Sequence, residues 1–180
     1  MNNEIKPRVW VGNLGAYNAG KLIGEWVDAT DNLAETVTGM VAAWYAANPM
    51  DGDEYYIGDY DDFGGAAPKT EWPNLDEVEA LANALVDATD PAALATFLEY
   101  GCGGDMDRLG ENFEHAYRGR FNNETDFARD YVEATGMLGG VPEDVAGYFD
   151  YEALAHDMKA GGDYWFAPAK LGVYVFDNTV

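Results

Sequence analysis

The first sixty residues alternate between the apolar spacing of strands and that of a helix. Residues 8–12 and 22–27 alternate as strands do, with Trp26 on the same face as Leu22. Apolar residues then recur at helical spacing over 33–45, which predicts a helix. Residues 54–60, rich in Tyr and flanked by acids, predict a third strand.

The helix predicted over 33–45 carries sequence signals at both ends. Thr30 or Asp31 can cap its start, because a side-chain oxygen can accept a hydrogen bond from a free backbone N–H of the first turn. Asn48-Pro49 is expected to end it, because proline cannot continue a helix.

The central part of the chain predicts three short helices after a break. Residues 61–73 contain two glycines and two prolines, a composition typical of a boundary or linker. Asn74 is positioned to cap the next helix, and Asp90-Pro91 opens another with proline at its first position. A third helix is predicted near residues 106–117.

The last third predicts helices followed by a hairpin. Thr125 is expected to cap a helix over 126–138, Pro142 opens a short helix, and Asp150 opens another that ends at Gly161-Gly162.

The final apolar segment, residues 164–176, alternates as two strands joined by a loop with Pro168 and Gly172, which predicts the hairpin. Its single charged residue is Lys170, so it is a candidate surface for self-association.

Together these patterns predict an α+β protein of three small domains. Residues 1–62 form an N-terminal antiparallel sheet with a helix, 63–104 a central helical bundle, and 105–180 C-terminal helices plus an antiparallel sheet. With 180 residues, 48% of them apolar, the chain can bury a core.

Charge changes this picture most. The chain has 33 acidic residues against 10 Lys and Arg, a net charge of -23. Between Lys21 and Arg108 the only basic residue is Lys69, whereas 19 carboxylates lie there. Such a surface repels nucleic acid and attracts basic partners over about 8 Å at physiological salt. At one charge per about 1.7 Å of duplex axis, 23 charges correspond to roughly 39 Å of DNA.

Composition alone leaves blander interpretations open. Proteins adapted to high salt, and proteins that are acidic only for solubility, have similar ratios of acidic to basic residues.

No uninterrupted apolar run approaches about 18 residues and the N-terminus lacks a signal-peptide layout, which predicts a soluble cytoplasmic protein. The single Cys102 agrees with a reducing compartment.

Gly15 to Lys21 fits the phosphate-binding pattern G-x-x-x-x-G-K after a strand. Leu22 occupies the position of the Mg²⁺-binding hydroxyl, and a strand rather than a helix is predicted to follow. A glycine-bearing turn between strands is therefore the favoured interpretation.

Two other chemistries receive little support. A calcium-binding loop that began at Asp51 would need glycine at position 56 and glutamate at position 62, but these positions hold Tyr56 and Asp62. Cys102, His115 and His156 have neither metal-ligand spacing nor a catalytic signature. A small acidic hydrolase or nucleotide-binding enzyme remains the alternative, because 33 carboxylates could include a catalytic pair, although nothing in the sequence singles one out.

Four stretches in sequence order resemble the ArdA family of antirestriction proteins along nearly the whole chain. They are 7–12 with 17–20 and 24–28 (PRVWVG, YNAG, GEWVD); 54–60 (EYYIGDY); 113–117 with 126–128 (FEHAY, DFA); and 148–153 (YFDYEA) leading into the hairpin. Residues 61–104 resemble the family least.

The resemblance implies an elongated homodimer of three small domains whose acidic surface mimics bent B-form DNA. Its partners are the methyltransferase and nuclease complexes of Type I restriction-modification systems in a bacterial host, and such proteins are encoded on mobile elements and phages. It implies no nucleic-acid or membrane partner, no catalytic residue, no metal and no cofactor.

The function is then expected to reside in distributed carboxylates. The candidate partner-binding residues are Glu25, Asp28, Asp51, Asp53, Glu54, Asp59, Asp61, Asp62, Asp76, Glu77, Glu79, Asp87, Asp105, Asp107, Glu111, Glu114, Asp126, Asp130 and Glu133.

Overall fold

A computed structural model describes residues 5–101 and 105–179, and it confirms the α+β class. The chain divides into two compact units, one up to Phe113 and one from Glu114 onward. The division into three small domains concerns which parts fold independently, so it stays a prediction.

The first unit begins with a three-stranded antiparallel sheet of order β2-β1-β3. Its core-facing side chains include Val9 and Val11, which are fully buried and alternate along the central strand. The three predicted strands are confirmed, with ends shifted by one or two residues. The strands and the helices that follow them are β1 (Arg8–Asn13), α1 (Leu14–Asn18), β2 (Gly24–Asp28), α2 (Leu33–Ala47) and β3 (Tyr55–Asp61).

Helix α2 starts differently from the prediction, because neither Thr30 nor Asp31 caps it. The N-cap residue is Asn32, in the left-handed conformation at φ 50° with no capping side-chain hydrogen bond. The backbone N–H of Leu33 instead donates to Oε2 of Glu79 at 2.8 Å. A carboxylate 46 residues away therefore satisfies an N–H group that a local cap would otherwise take.

The segment after β3 is packed against the sheet rather than extended as a linker. Phe63 is 1% exposed, and its ring contacts Tyr60 edge-on at 5.4 Å. The backbone N–H of Ile57 donates to the carbonyl of Glu71 at 2.8 Å. A short 3₁₀ turn, Gly64–Ala66, lies between these contacts.

The rest of the first unit is helical, as predicted. Asn74 and Asp90 cap their helices through hydrogen bonds from Asp76 and Ala93. The apolar faces bury Val78, Leu81, Leu85 and Leu94, and the rings of Phe97 and Phe113 meet edge-on at 5.9 Å. These helices are α3 (Leu75–Asp87), α4 (Pro91–Glu99), a 3₁₀ turn (Met106–Arg108) and α5 (Leu109–Ala116), which crosses into the second unit.

The second unit packs two longer helices on another antiparallel sheet, of order β4-β6-β5. Phe127 of α6 and Met158 of α8 meet Phe166 and Val175 of the sheet in the core. The predicted hairpin is confirmed. The elements are β4 (Tyr117–Phe121), α6 (Glu124–Thr135), α7 (Glu143–Ala146), α8 (Tyr151–Gly161), β5 (Tyr164–Pro168) and β6 (Val173–Asp177).

Two predictions for this unit are wrong in detail. The helix expected over 106–117 ends at Ala116, and Tyr117 begins a strand that pairs with Phe176. The helix expected from a Thr125 cap begins at Glu124, because Asn123 accepts the hydrogen bond from the N–H of Asp126 at 2.8 Å. That helix stops at Thr135, where Gly136 adopts the left-handed conformation at φ 64°.

Candidate partner-binding surface

Most of the carboxylates predicted to bind a partner are exposed. Asp61, Glu79 and Asp126 are half-buried, and Asp51 alone among the candidates is buried. The structure distributes the set over both units and on helices, strands and turns. It separates carboxylates engaged within the fold from carboxylates directed at solvent.

Asp51 belongs to the fold rather than to the surface. Its carboxylate accepts a hydrogen bond from Nδ2 of Asn48 at 2.7 Å and lies 3.4 Å from Nζ of Lys21. With 7% exposure it presents almost nothing to a partner.

The acidic end of β3 is also engaged in part. Asp61 forms an ion pair with Arg8, and Asp62 accepts a hydrogen bond from the backbone N–H of Lys6 at 3.2 Å. Asp59 is exposed, and its Oδ1 accepts from the adjacent Tyr60 N–H at 2.8 Å. Of these three residues, Asp61 pairs with a side chain, whereas Asp59 and Asp62 accept hydrogen bonds from backbone N–H groups.

A carboxylate row on α6 is the most regular part of the candidate set. Asp126, Asp130 and Glu133 are spaced i, i+4, i+7, so they occupy one helix face on successive turns. Together with Phe121 and Arg129 they line a shallow groove. Asp126 accepts from Nδ2 of Asn122 at 2.8 Å, whereas Asp130 and Glu133 are exposed.

A second set of exposed carboxylates lies on α3, where Asp76 and Glu77 occupy the first turn and Asp87 the last. Acids at a helix N-terminus are stabilised by the helix dipole, but Asp87 at the C-terminal end is not. The helix dipole therefore gives no reason for an acid at position 87.

Asp28, at the end of β2, is held in its ionised form. Hydrogen bonds from the Thr30 hydroxyl at 2.6 Å and the Thr30 N–H at 2.9 Å lower the pKa of Asp28 below its usual range. Burial raises the pKa of the Tyr60 phenol to about 12, and its hydroxyl donates to the carbonyl of Thr70 at 3.3 Å. Neither group changes charge near neutral pH.

The Gly15 to Lys21 segment does not form a phosphate cradle. Residues Leu14–Asn18 form a five-residue helix rather than the simple turn expected, and the side chain of Asn13 already accepts from the N–H of Ala16 at 2.7 Å. Lys21 faces Asp51. A Cβ added to Gly15 would lie 1.8 Å from the carbonyl oxygen of Asp51, so close backbone packing explains this glycine.

The calcium and Cys–His interpretations gain no support. Within 5–101 and 105–179, no His, Cys, Asp and Glu side chains group into a set that could hold a metal ion. His156 is exposed beside Asp157, with Nδ1 3.5 Å from Oδ1. Cys102 lies outside the described residues.

Sequence reasoning missed the aromatic partners of the few arginines. The Arg129 guanidinium lies over the Tyr151 ring at 4.5 Å, and that of Arg8 over the Trp26 ring at 5.4 Å. The sequence carries a signal for the position of Trp26, because the alternation of residues 22–27 places it on one face of a strand. The contact between Arg129 and Tyr151 joins two helices and has no local signature.

The fold and surface define an acidic α+β protein with exposed carboxylates on both units and no metal cluster in the part of the chain described. The chain belongs to the ArdA family of antirestriction proteins, whose family model matches residues 9–171 of 180. Membership gives the chain an antirestriction function, which is how the family is described. The resemblance inferred from the sequence is thereby confirmed.

A comparison with curated proteins returned no match. Of the helices in the described residues, none has the length and apolar character needed to cross a membrane.

Proposed function

We propose that this protein inhibits Type I restriction-modification enzymes by occupying their DNA-binding cleft as a mimic of the DNA backbone. The observation that carries the proposal is the set of exposed carboxylates fixed on regular elements of a chain with net charge -23. The partners would be the methyltransferase and nuclease complexes, met in the cytoplasm of a bacterial host.

The row on α6 illustrates how a helix can replace part of a phosphate strand. Asp126 and Asp130 are four residues apart, which corresponds to about 6 Å along a helix axis. Each DNA strand carries one phosphate per about 3.4 Å of axis. Such a row therefore supplies roughly every second charge of one strand, and other carboxylates must supply the rest.

A mimic of this kind does not need to imitate a base sequence. Much of the affinity of a DNA-binding protein comes from phosphate contacts and counterion release, which are independent of sequence. Carboxylates can form charge-assisted hydrogen bonds with the same Lys and Arg side chains. One inhibitor would therefore act on enzymes with different recognition sequences, while narrow clefts would offer it too few basic groups.

The decisive experiment is a competition between this protein and DNA for two Type I methyltransferases of different specificity, at fixed salt. We expect displacement of DNA from both enzymes, and weaker displacement as salt is raised. Strong inhibition of one enzyme and none of the other, at similar DNA affinities, would contradict backbone mimicry. Turnover of a nucleotide or an ester would instead favour the enzymatic alternative.

We extend the proposal to a homodimer, as the family resemblance implies. Most large apolar side chains of the 164–176 hairpin are buried or half-buried within the second unit, and Leu171 is the exposed one. Val145 and Tyr148 expose 55% and 90% of their surface in the segment 137–148. We therefore expect Val145→Asp to lower the dimer fraction in sedimentation more than Leu171→Asp. If Leu171→Asp lowered the dimer fraction more than Val145→Asp, the interface would lie on the hairpin instead.

A further inference from the structure

The outer face of the N-terminal sheet carries aromatic rings where a solvated acidic surface would ordinarily have polar side chains. Trp10 of β1 and Trp26 of β2 are directly opposite in the sheet register, and their rings meet edge-on at 5.8 Å. The Tyr17 and Tyr56 rings form a second pair at 5.4 Å. Trp26 is 40% exposed and Tyr17 is 57% exposed.

Glycines bring these rings close to the sheet backbone. A Cβ added to Gly12 would lie 2.4 Å from Cε1 of Tyr56, and one added to Gly24 would lie 2.9 Å from Cε2 of Trp10. A side chain at Gly12 would collide with the Tyr56 ring, and one at Gly24 would collide with the Val11 carbonyl oxygen, at 2.5 Å, as well as with the Trp10 ring. The Tyr56 and Trp10 rings therefore pack directly on the glycines of the sheet.

Carboxylates lie beside these aromatic rings on the same face. Asp59 is directly opposite Trp10, and Arg8 is directly opposite both Asp28 and Asp61. Residues that are directly opposite in an antiparallel sheet project to the same side. A ligand on this face would meet ring surface and negative charge together.

Arg8 already shows which chemical group the face can hold. Its guanidinium forms an ion pair with Asp61 and lies 5.4 Å from the centre of the Trp26 ring. A guanidinium is planar and weakly hydrated, so it can stack on an aromatic face while its N–H groups donate to a carboxylate. A lysine ammonium is a more strongly hydrated point charge.

We propose that this aromatic face of the N-terminal sheet, Trp10, Trp26, Tyr17 and Tyr56 with the flanking Asp28 and Asp59, binds arginine side chains of the DNA-binding partner. The inference rests on the proposed function and specifies its contacts. Arginines that meet phosphates and base faces in a DNA complex would here meet carboxylates and rings. The net charge of -23 selects a basic partner, and the rings select arginine over lysine.

The test changes ring surface without changing charge. Trp26→Leu removes the ring but keeps apolar bulk, and Trp26→Phe restores a ring. Trp72→Leu is the matched control, since Trp72 is 62% exposed and lines a groove with Val78 and Leu81 of α3. In the competition against DNA we expect Trp26→Leu to inhibit about 3- to 10-fold more weakly than wild type, with Trp26→Phe intermediate and Trp72→Leu unchanged. Equal inhibition by Trp26→Leu and Trp72→Leu would overturn the inference while leaving the proposed function standing.

A second measurement needs no restriction enzyme. Hexa-arginine and hexa-lysine peptides are titrated by calorimetry into wild type and Trp26→Leu, with thermal unfolding confirming that both are folded. We expect wild type to prefer hexa-arginine, and the ratio of the two affinities to fall toward one in Trp26→Leu. An unchanged ratio would overturn the inference. Arginine preference in a wild type that fails to displace DNA would instead overturn the proposed function alone.

Discussion

Oε2 of Glu79 on α3 accepts a hydrogen bond from the backbone N–H of Leu33, the first residue of α2, at 2.8 Å. One of the carboxylates expected to bind a partner therefore satisfies a free N–H group at the start of another helix. Glu79 is half-buried, and Asn32 offers no side-chain cap in its place. Not every acid of this chain is therefore available to a partner.

Replacing Glu79 by Ala should therefore lower the stability of the first unit. We expect a loss of about 1 kcal/mol in the free energy of unfolding, the usual cost of losing a helix cap. Asp87→Ala is the control, because Asp87 is exposed at the C-terminal end of the same helix, where a negative charge opposes the dipole. Urea denaturation of the two variants measures the difference. A Glu79→Ala variant as stable as Asp87→Ala would refute the capping role.

Two glycine substitutions should act in opposite directions. Gly15→Ala should destabilise the protein by more than about 1 kcal/mol, because the added Cβ would lie 1.8 Å from the Asp51 carbonyl oxygen. Gly39→Ala in α2 should stabilise by about 0.5 to 1 kcal/mol, because nothing lies within 4 Å of its Cβ position and alanine favours helix. Thermal unfolding compares them. If Gly15→Ala were tolerated, this close packing would not explain the glycine.

The sequence predicts those parts of the fold that local pattern dictates. The strands over β1 to β3 and the hairpin of β5 and β6 follow from alternation, and the caps at Asn74 and Asp90 from side chains adjacent to their helices. Strand β4 was missed because Tyr117 continues the helical spacing of Phe113. What turns it into a strand is pairing with β6, more than fifty residues away.

Composition predicts that the chain carries many exposed carboxylates, but not which of them the fold buries or engages. Asp51 and Asp53 look alike in the sequence, yet Asp51 is buried against Asn48 and Lys21 while Asp53 is exposed. Lys21 lies thirty residues earlier, and the tertiary fold rather than local spacing places it beside Asp51. Spacing predicts the shared face of Asp126, Asp130 and Glu133, because one helix fixes all three positions; that this row binds a partner stays a prediction.

The pair formed by Arg118 and Asp177 should make the second unit sensitive to acid. Burial raises the pKa of Asp177, but hydrogen bonds from Thr179 and from Arg118 lower it by more, the Arg118 bond being 2.7 Å long. The pKa of Asp177 therefore lies below its usual range. A carboxyl with a depressed pKa in the folded state adds stability above its unfolded pKa of about 3.9. That stability is lost as pH falls through the folded pKa.

Arg118→Met tests this linkage by removing part of the network. We expect it to lower stability at pH 7 by about 1 kcal/mol, because Arg118 is partly exposed. The gap to wild type should shrink as pH falls through the folded pKa of Asp177, leaving only the loss of the hydrogen bond from Arg118 to the His115 carbonyl. Arg120→Met, at an exposed position on the same strand, is the control. Thermal unfolding from pH 2 to pH 7 measures both. A pH-independent gap between Arg118→Met and wild type would contradict the linkage.

The carboxylate row on α6 should contribute to inhibition through its position and not only through its charge. Asp130→Asn with Glu133→Gln removes two negative charges from the row, and Glu152→Gln with Asp157→Asn removes two from exposed positions on α8, outside the candidate set. Both variants thus change net charge equally. We expect the first to weaken displacement of DNA from a Type I methyltransferase by up to about 10-fold, because exposed ion pairs contribute about 0 to 1 kcal/mol each.

The control pair should weaken displacement much less, because it alters only long-range attraction. Measured across salt concentrations, the α6 variant should also show a shallower salt dependence than wild type, since fewer ion pairs form on binding. If the two variants behaved alike, net charge would suffice and the row would have no special place in the interface. If the α6 variant inhibited as wild type does, this face of the helix would lie outside the contact.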